Sequence, residues 1–375
     1  MKTPICDMLG IDLPLLAFSH CRDVVAAVTN AGGFGVLGAS THTPEQLERE
    51  LAWIDDHVDG RPYGADILVP EKYEGKGLGL DAAAIDALIG QPQREFVTSL
   101  LAGHGISADP AGQRMPASVG ISEEAGERLL DVAFRHPIKL IASALGTPPG
   151  YMIARARHAG VPIAALVGAR EHAIRQVNAG VDILVAAGTE AGGHCGEVTT
   201  MVLVPEVIEA IKPIRQVPVL AAGGIVTGRQ IAAAIALGAA GAWMGSVWLT
   251  TEEAETAPYT KQKMIAATSR DTIRSRSRTG KPSRQLKSDW TAAWESEKSP
   301  GALPMPLQSL LSEPALRRID VLAEQGNEGA RQLATYWVGQ GVGLMNKATT
   351  VRDVIYEMAQ DYADAAERLA ATVSD

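Results

Sequence analysis

The stretch VPVLAAGGIVTGRQIAAAIALGAAGAWMGS, residues 217–246, decides how the chain folds. An apolar run stops at Gly223-Gly224, an Ala-rich helical segment opens near Thr227-Gly228, and a second apolar run stops at Met244-Gly245-Ser246. Strand, helix and strand in that order make a βα unit, and a helical crossover forces the two strands to run parallel. In a closed barrel both strand ends lie on the C-terminal face, where the loops after the last two strands commonly bind a phosphate. Backbone N–H groups at the glycines and at the helix N-terminus are the expected donors, with the Ser246 hydroxyl as one more. Neither G-x-G-x-x-G nor G-x-x-x-x-G-K-[ST] describes the segment, which disfavours a Rossmann dinucleotide site and a P-loop.

Outward from this unit the same alternation repeats. Strands are expected at LPLLAF (13–18), GFGVLGAS (33–40), YGADILV (63–69), IKLIASAL (138–145), VPIAALV (161–167), VDILVAAG (181–188), VPVLAAGG (217–224) and AWMGSV (242–247). Helical segments such as TPEQLERELAWIDDH, REHAIRQVNAG and GRQIAAAIALGA stand between most of them, which favours a (β/α)8 TIM barrel over an open doubly wound sheet. Thr43, followed by Pro44 and Gln46, has the spacing of a reciprocal helix N-cap. Two stretches break the repeat. Residues 74–121 read as an insertion over one end of the barrel, and residues 250–330, richer in charge and Ser with little strand pattern, read as a smaller, mostly helical second domain. The barrel is then expected from 1–249 and 331–375, with the C-terminal helical pattern returning to close it.

A chain of 375 residues with 46% hydrophobic and 21% charged residues suits a large α/β core. The net charge of −9 argues against general nucleic-acid affinity, which needs a positive field. Cys6, Cys21 and Cys195 are few and widely spaced, so neither a disulfide framework nor a zinc site is expected, and a reducing cytosol fits. No signal-peptide h-region opens the chain and no apolar window has membrane-spanning length, so the expectation is a cytoplasmic protein without membrane contact.

The sixth strand leads into GTEAGGHCGEVTT, residues 188–200, which places His194 beyond a strand end on the same face as the phosphate loops. An imidazole there can donate a hydrogen bond, accept a proton or stabilise developing negative charge. Cys195 is a weaker candidate, since a thiolate needs a stabilising partner and an adjacent residue in extended chain points the other way.

Together with GQGVGLMN (339–346), these segments resemble the nitronate monooxygenase family, formerly the 2-nitropropane dioxygenases, which includes flavin-dependent enoyl-ACP reductases and related NAD(P)H:quinone reductases. The resemblance implies an FMN-binding TIM barrel with a smaller substrate domain over the flavin. It implies that Gly223, Gly224, Gly245 and Ser246 hold the FMN phosphate, that Met244 also contacts the cofactor, that Gly192 and Gly193 let their loop approach the flavin, and that His194 is catalytic. Ala17, Phe18 and Ser19 stand where many relatives have Ala-Pro-Met under the isoalloxazine. Asp66 stands where relatives often carry Asn, and Ala187 where a Gln is frequent. An anionic Asp66 would disfavour an anionic reduced flavin unless it is protonated or hydrogen-bonded.

The expected reaction is oxidation of alkyl nitronates with O2. The alternative is an NAD(P)H-dependent reductase of an enoyl thioester or quinone, and a flavin-binding protein without turnover is the non-enzymatic reading. The run RDTIRSRSRTGKPSRQLK (270–287) concentrates Arg and Lys in an otherwise acidic chain. It reads either as a solvated face or as a docking site for phosphates of NADPH, coenzyme A or an acyl carrier protein. A homodimer is compatible with this reading.

Overall fold

The computed structural model describes residues 1–40, 42–69, 71, 82–107 and 123–373. Eight parallel strands close into a barrel: β1 (Leu15–Ser19), β2 (Phe34–Gly38), β3 (Gly64–Asp66), β4 (Leu140–Ser143), β5 (Ile163–Val167), β6 (Ile183–Ala187), β8 (Val219–Ala222) and β9 (Gly241–Met244). The circle is completed where β9 pairs with β1, Leu16 opposite Trp243. All eight fall inside the stretches expected from the sequence, apart from one-residue overhangs at Ser19 and Gly241. The extra strand β7 (Gly193–His194) belongs to another sheet, with β10 (Thr272–Ser275) and β11 (Ser283–Leu286), in the order β10-β11-β7.

Alternation along each strand divides the core. Leu16, Phe34, Val36, Leu140, Ile183, Leu220 and Trp243 point into the barrel and form one cluster, whereas Leu15, Ala17, Leu184, Ala221 and Ala242 pack outward against the helices. Ile5, Cys6 and Leu9, on a short helix Pro4–Leu9 that the sequence reading did not single out, join the interior cluster and plug the barrel. Each fully buried Leu, Ile or Phe contributes roughly 1.5–3 kcal/mol.

The N-cap at Thr43 is reciprocal as its spacing predicts: the Gln46 amide N–H donates to Thr43 Oγ1 (3.2 Å), and the Thr43 N–H donates to Gln46 Oε1 (2.8 Å). The helix Val351–Ala371 packs on the helix Gly228–Ala236 so tightly that a Cβ on Gly228 would overlap the Met358 carbonyl.

Between residues 250 and 330 the structure is mainly helical, with helices Pro258–Ala266, Asp289–Glu295 and Leu307–Glu324. The hairpin β10–β11 was not anticipated. Its residues, Thr-Ile-Arg-Ser and Ser-Arg-Gln-Leu, lack apolar alternation because they are buried against polar partners: Gln285 donates to Ser277 Oγ (3.2 Å), and Arg284 donates to Thr272 Oγ1 (3.1 Å). Of the stretch 74–121, helices Ala82–Ala87 and Gln91–Gly103 are described; the glycine-rich part and the Pro/Gly connection lie outside the described residues. Ile89, Val97, Leu101 and Ile106 share one apolar cluster with Trp290, Trp294, Leu311 and Ile319. No helix among the described residues is long and apolar enough to cross a membrane.

Candidate active site

The C-terminal mouth of the barrel opens into a cavity of about 900 Å³, within the range of ligand sites of roughly 300–1,000 Å³. Phe18, Ser19, Asp66, Gly192, Gly193, His194, Gly223, Gly224, Met244, Gly245 and Ser246 all line it. Ala17 does not: the strand alternation turns its side chain outward, fully buried in the strand–helix layer.

At the end of β8 the backbone is shaped for close approach. Gly223 has φ +116°, and a Cβ there would lie 2.6 Å from Thr200 Oγ1, so no other residue fits without displacing Thr200. Thr200 and Glu190 brace this corner: the Thr200 N–H and hydroxyl both donate to Glu190 Oε2, at 2.9 and 2.8 Å. No described hydrogen bond uses the N–H groups of Gly223, Gly224, Gly245 or Ser246, which leaves four donors at the cavity edge. The helix that follows contributes less than the sequence suggests. Gln230 Oε1 accepts from the Val226 and Thr227 N–H groups (2.9 and 3.1 Å), and Asp361 accepts from the Arg229 N–H (2.7 Å). Ser246 Oγ accepts from the Gly339 N–H at 2.8 Å, which leaves its own proton to donate.

The two glycines before His194 have different causes. A Cβ on Gly192 would press on the backbone of Val338 and Gly339, so its smallness serves packing against the 338–341 segment. Gly193 has φ +72° with open space around its missing Cβ, a conformation that turns the chain into β7 beside the cavity. There Gly193 and His194 pair antiparallel with Arg284 and Ser283 of β11.

His194 Nε2 lies 2.8 Å from Thr279 Oγ1. The Thr279 hydroxyl proton is directed to the Lys281 carbonyl (3.2 Å), and the same oxygen accepts from the Lys281 N–H (3.3 Å). On this assignment Thr279 can only accept from the imidazole. Nε2 therefore carries the proton, and Nδ1, engaged by no described hydrogen bond, is a lone-pair acceptor. Burial, helped by the positive charge of Lys281, pushes the His194 pKa down to about 4, so the ring is neutral at physiological pH. Thr279 escaped the sequence reading because only the β7–β11 pairing brings it to His194, 85 residues away in the chain.

Two further groups set the polarity. Burial alone pushes the Asp66 carboxyl up to about 7, since no described hydrogen bond or ion pair engages it; near neutrality a large fraction is the uncharged acid. His20 donates from Nδ1 to the Gly38 carbonyl (2.9 Å), which can only accept, so its Nε2 is the unprotonated nitrogen on the cavity wall. Cys195 is held as a thiol: burial raises its pKa, and Sγ donates weakly to the Thr189 carbonyl at 3.6 Å.

Two basic side chains of the run, Arg278 and Arg284, are buried, whereas Arg270, Arg276 and Lys287 are exposed. Arg278 is buried, pairs with Glu313 through Nε and Nη2 (2.7 and 3.2 Å) and lies 4.0 Å from the Trp337 ring centre. Arg284 donates to the Thr189 carbonyl (2.7 Å), tying the hairpin to the His194 loop. Lys281 lines the cavity.

A family model described as nitronate monooxygenase matches residues 17–361. The chain belongs to the nitronate monooxygenase family. This family member is 54% identical over 373 residues to Rv1533 of Mycobacterium tuberculosis, a protein provisionally named a monooxygenase, with 98% of each chain covered. It is 26% identical to a Staphylococcus saprophyticus protein provisionally named a nitronate monooxygenase, over 92% of this chain and 93% of that one. Among solved structures it resembles nitroalkane oxidase from Streptomyces ansochromogenes, with TM-score 0.79, 25% identity and coverage of 97% and 99%. FabK from Thermotoga maritima shares the fold at TM-score 0.72 and 24% identity, covering both chains fully.

Proposed function

We propose that this member is an FMN-dependent nitronate monooxygenase that oxidises alkyl nitronates with O2. The observation that carries the reading is a neutral His194 whose Nδ1 lone pair is open, in the cavity that also holds the four unengaged N–H groups at Gly223, Gly224, Gly245 and Ser246. Those donors suit a terminal phosphate. The cavity also has aromatic and apolar walls at Phe18, Leu166 and Trp243 that suit a flat ring system. Bound FMN would supply a two-electron acceptor that reacts with O2.

The chain's own residues would do the rest. With a nitronate, already deprotonated at carbon, His194 Nδ1 would accept a hydrogen bond; with a neutral nitroalkane it would take the proton from the carbon and release the nitronate, while Thr279 keeps the other nitrogen protonated. The positive charge of Lys281 would favour the anionic nitronate oxygens. An uncharged Asp66 donates a hydrogen bond without opposing negative charge on the flavin, which relieves the repulsion that an ionised carboxylate would bring. The segment 250–330, through its hairpin, would serve as the substrate-facing unit.

A second reading, an NAD(P)H-dependent reductase, is favoured by the size of the cavity, which exceeds the need of a flavin and a small nitronate. Anaerobic mixing of the yellow protein with propyl-2-nitronate, NADH and NADPH in separate cuvettes decides between them. Bleaching of the flavin band by the nitronate alone is the expected result. Bleaching by a pyridine nucleotide alone replaces it with the reductase, and protein that stays colourless after incubation with FMN removes both.

A further inference from the structure

Beside the catalytic cavity lies a second hollow of about 330 Å³, lined in part by Arg274, Arg276, Pro282, Trp294 and Glu295. Pro282 also lines the main cavity, so the two adjoin. We propose that this hollow is an anion subsite for a terminal phosphate monoester on a ligand that reaches out of the catalytic cavity.

The argument rests on hydrogen-bond supply. Trp294 is 6% exposed, and its Nε1–H is buried without an acceptor. The Nε–H of Arg274 is buried and unpaired as well, although Nη2 donates to Glu197 at 3.1 Å. Arg276 donates from Nε to the Gly280 carbonyl (2.7 Å), and no described hydrogen bond or ion pair engages its two terminal nitrogens. A buried donor without an acceptor costs about 1–3 kcal/mol, so a lining that holds two of them, at Trp294 and Arg274, beside the exposed fork of Arg276 calls for an acceptor-rich ligand. Phosphate oxygens are acceptors only, and guanidinium forks fit them.

Glu295 is the acidic member of the lining, and one of its oxygens accepts from Ser275 Oγ at 2.6 Å. The lining itself carries two guanidiniums against this one carboxylate, and the exposed Glu197 on Arg274 Nη2 offsets the remaining charge, so the site suits one monoester better than a polyphosphate. The site does not depend on the nitronate reading, because it concerns binding rather than turnover.

The 2′-phosphate of NADP⁺ and the 3′-phosphate of coenzyme A share this chemistry, and calorimetric titration of the flavin-loaded protein separates them. The oxidised nucleotide keeps flavin reduction out of the measurement. The expected result is that one phosphorylated ligand, NADP⁺ or coenzyme A, binds at least tenfold more tightly than its partner lacking the monoester, NAD⁺ or dephospho-coenzyme A. In Arg274→Gln the preference falls to about unity. In Trp294→Phe, which keeps the ring packing and removes the donor, it falls severalfold, while affinity for the unphosphorylated partner stays the same. Equal affinities within both pairs would overturn the proposal, and so would a preference that survives in both variants.

Discussion

A single hydroxyl decides what His194 can do. Because Thr279 accepts from Nε2, the open nitrogen is Nδ1, and removing the hydroxyl releases the ring to the other tautomer. Thr279→Val is expected to lower kcat/KM for a neutral nitroalkane by roughly 10–100-fold, the range for a lost partner that orients a histidine ligand. Thr279→Ser should recover most of it, which a merely structural loss would not allow. His194→Ala removes the acceptor altogether and is expected to cost about 10²–10⁴-fold while flavin remains bound. In the parent protein the same rate is expected to hold as pH falls toward 5 and then drop as His194 protonates near 4. A profile whose acid limb sits near 6.5 would mean that the ring is not desolvated as the structure shows.

Asp66 gives the opposite sign in stability. Its folded-state pKa of about 7 exceeds the ordinary 3.8, so between those values the native state holds a proton that the unfolded chain has released. Stability must therefore decline as pH rises across that window, by about 4 kcal/mol in full. Asp66→Asn in flavin-free protein should raise the unfolding free energy most above pH 7 and hardly at all near pH 4. Urea titrations at pH 4, 6 and 8 check it, and a gain independent of pH would refute the assignment. The sequence shows that Asp66 stands at a strand end, but its protonation follows from burial with no partner among the described residues, which only the packing reveals.

At the scale of elements, the barrel strands were legible because each is an apolar run bounded by turn residues, and burial on both faces makes that pattern nearly continuous. The hairpin β10–β11 was not, since polar residues fill its core and the periodic signal vanishes. The glycines at 223 and 245 line the cavity at the strand ends expected for them, while the helix N-terminus beside them has the Thr227 and Arg229 N–H groups bonded to Gln230 and Asp361. Gly223→Ala tests how this corner works. It combines a backbone conformation costing about 1–3 kcal/mol with a clash on Thr200, so FMN affinity is expected to fall roughly 10–100-fold. Fluorescence titration of free FMN measures it, and wild-type affinity would place the phosphate elsewhere.

Over the whole molecule, apolar contacts join parts of the sequence that no local pattern connects. Leu101, 1% exposed, belongs to a cluster with Trp290, Trp294 and Ile319, on the far side of most of the barrel in sequence. Leu101→Ala should cost about 2–5 kcal/mol, as for other buried Leu truncations. Hydrogen exchange should show the loss in 289–333 as well as around residue 101; protection lost only near residue 101 would contradict the shared cluster.

The antiparallel pairing of Gly193-His194 with Ser283-Arg284 makes the His194 imidazole a strand residue of the smaller sheet, while the loops at Gly223 and Gly245 belong to the barrel. The two parts of the candidate site therefore ride on different sheets. Anyone exchanging substrate specificity between relatives by grafting loops would need to move residues 188–196 and 272–286 together, because either alone carries half of a hydrogen-bonded ladder.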